Sequence, residues 1–337
     1  MHAAAFSPRG VARRAARPRG QSTIEYVLII AVISLVVVFA GPQVSQAVHN
    51  QFAGVANTLA GGIHGGGSSL GGTSGGGSGG YTPDQEQKDY LDDMKTVTDK
   101  DPKDWTLDEQ KKASEDIAKR GTASVAFPKA KAAMEAGTKW TVTLNNGQTM
   151  EYRIIGINHD DLADGSGKAG LTFLTTSTGI QSRMNATSTN AGGWEKSELR
   201  AKMNSGEIWN LMPSDFQSKV KSVRKLTNNV GGTDKNAAVT ATTDKLFLLS
   251  YSEIVTTSYW ASSYPWTSSE GSQYEAFMGK VTANYNSNPA IAIGNYWWER
   301  SVYPNYPASF LRVYGGGDPS DNDYAASSYC VCPAWCF

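Results

Sequence analysis

The longest apolar run lies near the N-terminus. Tyr26 to Ala40 reads YVLIIAVISLVVVFA, with Ser34 its one clearly polar residue. At about 1.5 Å per residue a helix of this run reaches roughly 22 Å. That falls short of the ~20 residues of a full membrane span and suits a signal core or a marginal anchor. Beyond Pro42 the pattern becomes a stripe. Val44, Val48, Phe52, Val55 and Leu59 recur at spacings of four, four, three and four, which predicts a continued amphipathic helix with a kink at Pro42. Residues 61–80 then hold twelve glycines, four serines and no formal charge. Such a segment is a flexible coil with an r.m.s. reach of roughly 25 Å.

Residues 81–138 alternate acids and bases, the mark of solvated helices. Thr106-Leu-Asp-Glu109 is a capping box and Gly121 suits the helix end. A second short helix is predicted from Lys129 to Glu135, ending at Gly137. No chemistry is visible here, so the segment reads as a spacer. From Trp140 the texture turns to period two. WTVTL, the turn at Asn145–Gly147 and MEYRIIGIN predict a hairpin. Leu171–Thr175 and Lys245–Ser250 read as buried strands, and Trp194–Asn204 and Asp215–Leu226 as helices. The remainder is short strands and long turns rich in Tyr, Trp, Ser, Asn and Gly. The expected class is α+β.

Composition adds limits. Lys and Arg number 31 and so do Asp and Glu, so no global field points to nucleic acid. The first 20 residues carry five arginines and no acid, which sets the orientation with the leader in the cytoplasm. The four histidines, His2, His49, His64 and His159, are scattered, and no zinc set or histidine triad is expected. Asp160, Asp161 and Asp164 precede Gly165-Ser166-Gly167 but lack the spacing of a calcium loop, and read as a solvated acidic turn. Gly315–Gly317 has no GK[ST] and is no phosphate loop. Cys330, Cys332 and Cys336 crowd the last eight residues; in an exported chain one disulfide and one free thiol are expected. No cofactor, metal or catalytic residue is expected.

Glu25 interrupts the edge of the apolar run, where an acid disfavours insertion. It stands five residues after Gly20 in RPRG-QSTIEYVLII. This segment resembles a type IV prepilin N-terminus, in particular the Flp-type pilins of tight-adherence systems. The resemblance implies cleavage by a prepilin peptidase after Gly20, a mature N-terminus at Gln21, and Glu25 followed by Tyr26 as the assembly signature. A buried carboxylate wants a cationic partner, and the freed α-amino group of a neighbouring pilin subunit can supply it. Short Flp pilins end near the glycine-rich segment. This chain carries some 257 further residues, which fits a minor or tip subunit better than a filament wall.

The run from Gly192 (GGWEKSELRAKMN, LMPSDFQSKVKSV, TTDKLFLLS, NYWWERS and the closing SYxVxPAW) resembles an uncharacterised domain family of bacterial and phage surface proteins. Its last part is similar to C-type-lectin-like folds related to formylglycine-generating enzymes. In that family a glycine and an arginine usually stand where Cys330 and Cys332 stand. Residues 303–328 read YPNYPASFLRVYGGGDPSDNDYAASS. Here Trp297, Trp298, Arg300, Ser301, Ser309, Phe310, Arg312 and Val313 read as framework, among a scatter of Tyr, Asn, Asp, Ser, Gly and Ala. This resembles the variable region of lectin-fold proteins diversified by retroelements. Adenine-directed mutagenesis of asparagine-type codons cannot produce Lys, Glu, Gln, Met or Trp, and none occurs from Ser301 to Ser328. Tyrosine with small polar residues is also the composition of adaptable binding surfaces.

The expected organisation is a prepilin leader (1–20), a pilin-like membrane and assembly helix (21–60), a linker (61–80), a charged helical segment (81–138) and a C-type-lectin-like domain (139–337) with its variable region near 296–337. The expected function is a minor or tip pilin-like adhesin, not an enzyme. Its contact residues are Tyr303, Asn305, Tyr306, Tyr314, Asp318, Asp321, Asn322, Asp323 and Tyr324. Expected partners are the prepilin peptidase, other pilin subunits, the cytoplasmic membrane before assembly and an unknown surface ligand, protein or glycan; nucleic acid is not expected. Localisation is the cytoplasmic membrane for the precursor, then the cell surface or pilus. Two rival readings are a structural pilin whose globular part only packs in the filament, and a membrane-anchored enzyme of the formylglycine-generating type.

Overall fold

A computed structural model describes residues 83–256, 259–282 and 287–337. The expected apolar helix, the expected linker and the residues expected to direct processing, Gly20, Gln21, Glu25 and Tyr26, lie outside the described residues. Residues 80–337 belong to one compact unit of mixed helix and sheet, the α+β class.

Three helices open it: α1 (Pro83–Thr98), α2 (Leu107–Arg120) and α3 (Phe127–Ala136). Thr106 and Glu109 form the capping box that starts α2, and Gly137 ends α3 in the left-handed region at φ 67°. These helices are no detached spacer, because polar contacts tie them to the sheets. The Tyr152 hydroxyl donates to Gln110 Oε1 at 3.1 Å, and Trp140 Nε1 donates to the Pro102 carbonyl at 2.9 Å. Ser114 Oγ donates to the carbonyl of Phe337 at 2.6 Å and accepts the Leu171 amide at 2.9 Å. A Cβ at Gly170 would sit 1.8 Å from the Ser114 carbonyl oxygen, so only glycine admits α2 so close.

The predicted hairpin is β1 (Lys139–Thr143) with β2 (Thr149–Ile157), and the next strand is β3 (Leu171–Ser177). The C-terminal strand β11 (Ala334–Cys336) closes this sheet in the order β1-β2-β3-β11. Its core is aromatic: Trp335 packs on Tyr152, Phe173, Phe216 and Phe337 with ring centroids 4.9–6.4 Å apart.

The middle of the chain departs from the sequence reading. The helix expected from Trp194 begins only at Glu198 (α4, Glu198–Asn204), capped by Ser197. Gly193 holds φ 53°, and a Cβ there would lie 2.1 Å from the Asn228 carbonyl, so the preceding residues turn instead. After α5 (Glu207–Leu211), the helix expected to run from Asp215 to Leu226 splits into α6 (Ser214–Lys219) and strand β5 (Val223–Asn228). The strand's inward residues are Val223, Lys225 and Thr227; two of the three are polar, which hid the period-two pattern. β5 forms a two-stranded ribbon with β6 (Val239–Asp244). Lys245–Ser250 is buried but pairs only through a bridge between Phe247 and Ala334. A short helix, α7 (Tyr251–Ile254), comes next.

The second large sheet has the order β4-β10-β7-β8-β9, from β4 (Gln181–Ser182), β7 (Trp297–Val302), β8 (Ser309–Val313), β9 (Asp321–Tyr324) and β10 (Tyr329–Cys330). The expected disulfide is not formed. Cys330, Cys332 and Cys336 are free and buried; burial pushes all three thiols up, Cys332 and Cys336 furthest. Cys336 is occupied by Thr172 Oγ1 at 3.3 Å.

Candidate ligand-binding surface

All six residues of β7 are buried, so the strand is a fixed floor. A bulge between Trp298 and Val302 shifts its register against β8, and a bulge of this kind bends the strand and re-aims its side chains. β9 pairs with β8 on one side only and forms the outer strand. Its side chains alternate between faces, and the two faces differ.

On one face Arg312 is clamped. Its Nε donates to Asp321 Oδ2 at 2.9 Å and its Nη1 to Asp323 Oδ2 at 2.8 Å. Its guanidinium carbon lies 4.2 Å from the Tyr296 ring centroid and 4.3 Å from that of Tyr329. The Tyr329 hydroxyl donates to Asp323 Oδ2 at 2.5 Å, and Tyr314 packs edge-on to Tyr296 at 4.9 Å. Asp321 and Asp323 do a second task. Their Oδ1 atoms accept the amides of Asn322 at 2.9 Å and Tyr324 at 2.7 Å. Burial alone would raise the Asp323 carboxyl, but the Tyr329 hydroxyl and the Tyr324 amide hold it below its usual value.

The other face carries Asn322 and Tyr324. Tyr306 stands beside Tyr324 with hydroxyls 3.4 Å and ring centroids 6.0 Å apart. Their hydrogen bond pushes the Tyr306 hydroxyl up. Neighbouring Asn305 adopts φ 71°, rare for a residue with a side chain, and its amide donates to the Gly232 carbonyl at 2.9 Å. Tyr303 turns inward, edge-on to Trp260 at 5.9 Å. Asp318 closes the turn after β8: its carbonyl accepts the Tyr314 amide and its Oδ1 accepts the Ser320 amide, both at 2.8 Å.

The nine contact candidates therefore split. Tyr306, Tyr324, Tyr314 and Asn305 are exposed, Asn322 is half-buried, and Asp318 is held in the turn after β8. Asp321 and Asp323 are committed to the clamp, and Tyr303 to packing. Sequence reasoning missed Tyr296 and Tyr329 as clamp walls. The available signal was two tyrosines flanking the WWERS and C-terminal segments.

Beside β7 lies a buried ionic junction. Arg300 donates to both Glu253 oxygens and to the carbonyls of Leu226, Leu248 and Glu270. Lys225 Nζ lies 2.5 Å from Asp160 Oδ1 and from Glu253 Oε1, and donates to the Tyr274 hydroxyl at 3.0 Å. Asp160 is thus no part of a solvated turn, although Asp161 and Asp164 are exposed or nearly so. Burial raises the Asp160 carboxyl, but Lys225 and then His159 outweigh it and hold it at about 2. Burial raises Glu270 to about 7, against hydrogen bonds from Ser301 and the Asn228 amide. A cleft of about 250 Å³ opens on this junction from His159 and Ser272. Among the described residues no group of three or more His, Cys, Asp or Glu side chains is placed to hold a metal.

Residues 169–337 match a domain family of unknown function, DUF6273. No curated protein and no solved structure matches the chain.

Proposed function

The chain belongs to the DUF6273 family over half its length, and we propose that it is a pilin-like surface subunit displaying a ligand-binding head. The head has a C-type-lectin-like arrangement, and the role is that of a minor or tip adhesin. The observation that carries this reading is a pair of half-exposed tyrosines at the outer edge, Tyr324 on β9 and Tyr306 in the loop before β8, on a sheet whose every β7 residue is buried. Rigid amphipathic rings over a fixed scaffold suit adaptable recognition of a protein or glycan. The prepilin-like sequence at Gly20–Tyr26 supplies export and assembly. Diversification by a retroelement would act on the open positions while leaving the scaffold unchanged. The buried, raised thiols of Cys332 and Cys336 speak against thiolate chemistry.

Deep sequencing of the 3′ end of the gene across one population tests the binding role. Variation at Tyr306, Tyr314, Asn322 and Tyr324, with Trp297, Trp298, Arg300 and Phe310 constant, is the expected result. A uniform sequence sinks diversification. The mass of the mature N-terminus tests the pilin part: a chain beginning at Gln21 is expected, and one beginning at Gly41 returns the segment to ordinary secretion.

A further inference from the structure

The junction beside β7 has too few positive charges. Asp160, Glu253, Glu270 and Glu299 are all at most 4% exposed, and the cations buried with them are Lys225 and Arg300, at most 2% exposed; His159, at the rim beside Asp160, is shared with Glu275. Four carboxylates against two cations leave two negative charges in a region nearly closed to water. An uncompensated buried charge is costly, and a carboxyl in that position takes up a proton instead.

The geometry says which two carboxyls hold protons. Glu253 is bidentate on Arg300 and touches Lys225. Asp160 touches Lys225, Tyr274 and Thr172. Those two are fully served as anions. Glu270 has only neutral donors, the Asn228 amide at 2.7 Å and the Ser301 hydroxyl. Glu299 has no hydrogen-bond partner on either oxygen. We propose that the folded unit stores two protons, one on Glu270 and one on Glu299, and that this proton pair couples the hold on β8 and β9 to pH.

The charged neighbours from each packed element agree. Glu270 faces Arg300 on β7 and Glu253 on α7, with Lys225 of β5 behind. Glu299 faces Glu270, Asp318 and Asp321, and also Arg300, which is committed to Glu253. Burial and then these carboxylates push Glu299 well above its usual value. At the outer edge His159 is paired with Glu275 at 3.1 Å, so it adds no free positive charge. The junction links β5, α7 and β7. Releasing the protons therefore loosens the base on which β8 and β9 stand.

The raised folded values fix the sign. Both carboxyls ionise near pH 4.3 in the unfolded chain. Their contribution is complete below that value and is lost as pH rises through each folded value, about 7 for Glu270 and, for Glu299, one that burial and its carboxylate neighbours raise well above the usual range. Urea unfolding of the full chain in detergent micelles, monitored by tryptophan fluorescence from pH 5.5 to 8.5, measures it. All nine tryptophans lie between Trp105 and Trp335, so the signal reports this unit. The folding constant is expected to fall about a hundredfold per pH unit between 5.5 and 6.5, the slope of two protons. Above about pH 7.5 the slope is expected to become shallower, because Glu270 has released its proton. Glu270→Gln and Glu299→Gln each remove one proton from the slope. A wild-type slope of one proton or less overturns the proposal, as do variants that fold with the wild-type slope. If neither variant folds, the wild-type slope decides alone.

Discussion

The two large sheets of this unit are fastened in opposite ways. The sheet β1-β2-β3-β11 closes on aromatic rings, with Trp335 at their centre. The sheet that carries β8 and β9 is fastened by Arg300, Glu253, Lys225 and Asp160. The difference teaches where tolerance lies. Apolar packing degrades by degrees as atoms are removed. An ionic junction fails at once when a single partner is lost, because the remaining charge stays buried.

Arg300→Met strikes the ionic junction hardest. It leaves Glu253 facing one cation and strips donors from three buried carbonyls. Breaking a buried pair costs about 3–5 kcal/mol, and each abandoned acceptor adds about 1 kcal/mol or more. Total stability of a domain is about 5–15 kcal/mol, so the variant is expected to be largely unfolded at 37 °C. A melting temperature within a few degrees of wild type would show that the junction is not the fastening it is taken to be.

Trp335→Ala attacks the aromatic side and is expected to cost about 4 kcal/mol. Trp335→Phe is expected to cost much less. The indole Nε1 is buried without a hydrogen-bond partner, so phenylalanine loses ring area while relieving an unsatisfied donor. Denaturant melts of the two variants give the gradation. Equal losses would mean that this side, too, fails all at once.

Acid separates the two fastenings without any mutation. The Asp160 carboxyl is held at about 2 in the folded unit against an ordinary value near 3.8. Its contribution is therefore present above about pH 4 and lost as pH falls towards 2, about 2 kcal/mol in size. Asp160→Asn should remove that acid-limb slope, while Trp335→Phe should leave it unchanged. Thermal melts from pH 2.5 to 5 compare them, and parallel curves for wild type and Asp160→Asn would refute the assignment.

The aromatic fastening was more legible in the sequence than the ionic one. The hairpin at Trp140, the strand at Leu171 and the capping box at Thr106 arise from local pattern and stand in the fold. The junction could not be read that way. Asp160, Lys225, Glu253, Glu270 and Arg300 are far apart in the chain, and a buried charge looks like a surface charge until its partner is known. Lys225 inside β5 even turned a strand into an apparent helix. The clamp at the candidate surface was half legible. Arg312 read as framework, and its side chain is largely covered. That Asp321 and Asp323 belong to Arg312 depended on the register of β8 against β9, which no motif specifies.

The smallest expected effect bears most directly on the binding surface. Tyr306 is 43% exposed and Tyr324 49%, and each meets the other rather than the core. Tyr306→Ala and Tyr324→Ala should each change stability by less than about 0.5 kcal/mol, as open surface positions do. Tyr329→Ala should cost about 2 kcal/mol, because it removes one wall of the Arg312 clamp and the hydroxyl donated to Asp323. The melts therefore sort the surface into display and scaffold. If Tyr306→Ala or Tyr324→Ala costs more than about 1 kcal/mol, that ring supports the edge of the sheet and leaves the contact set.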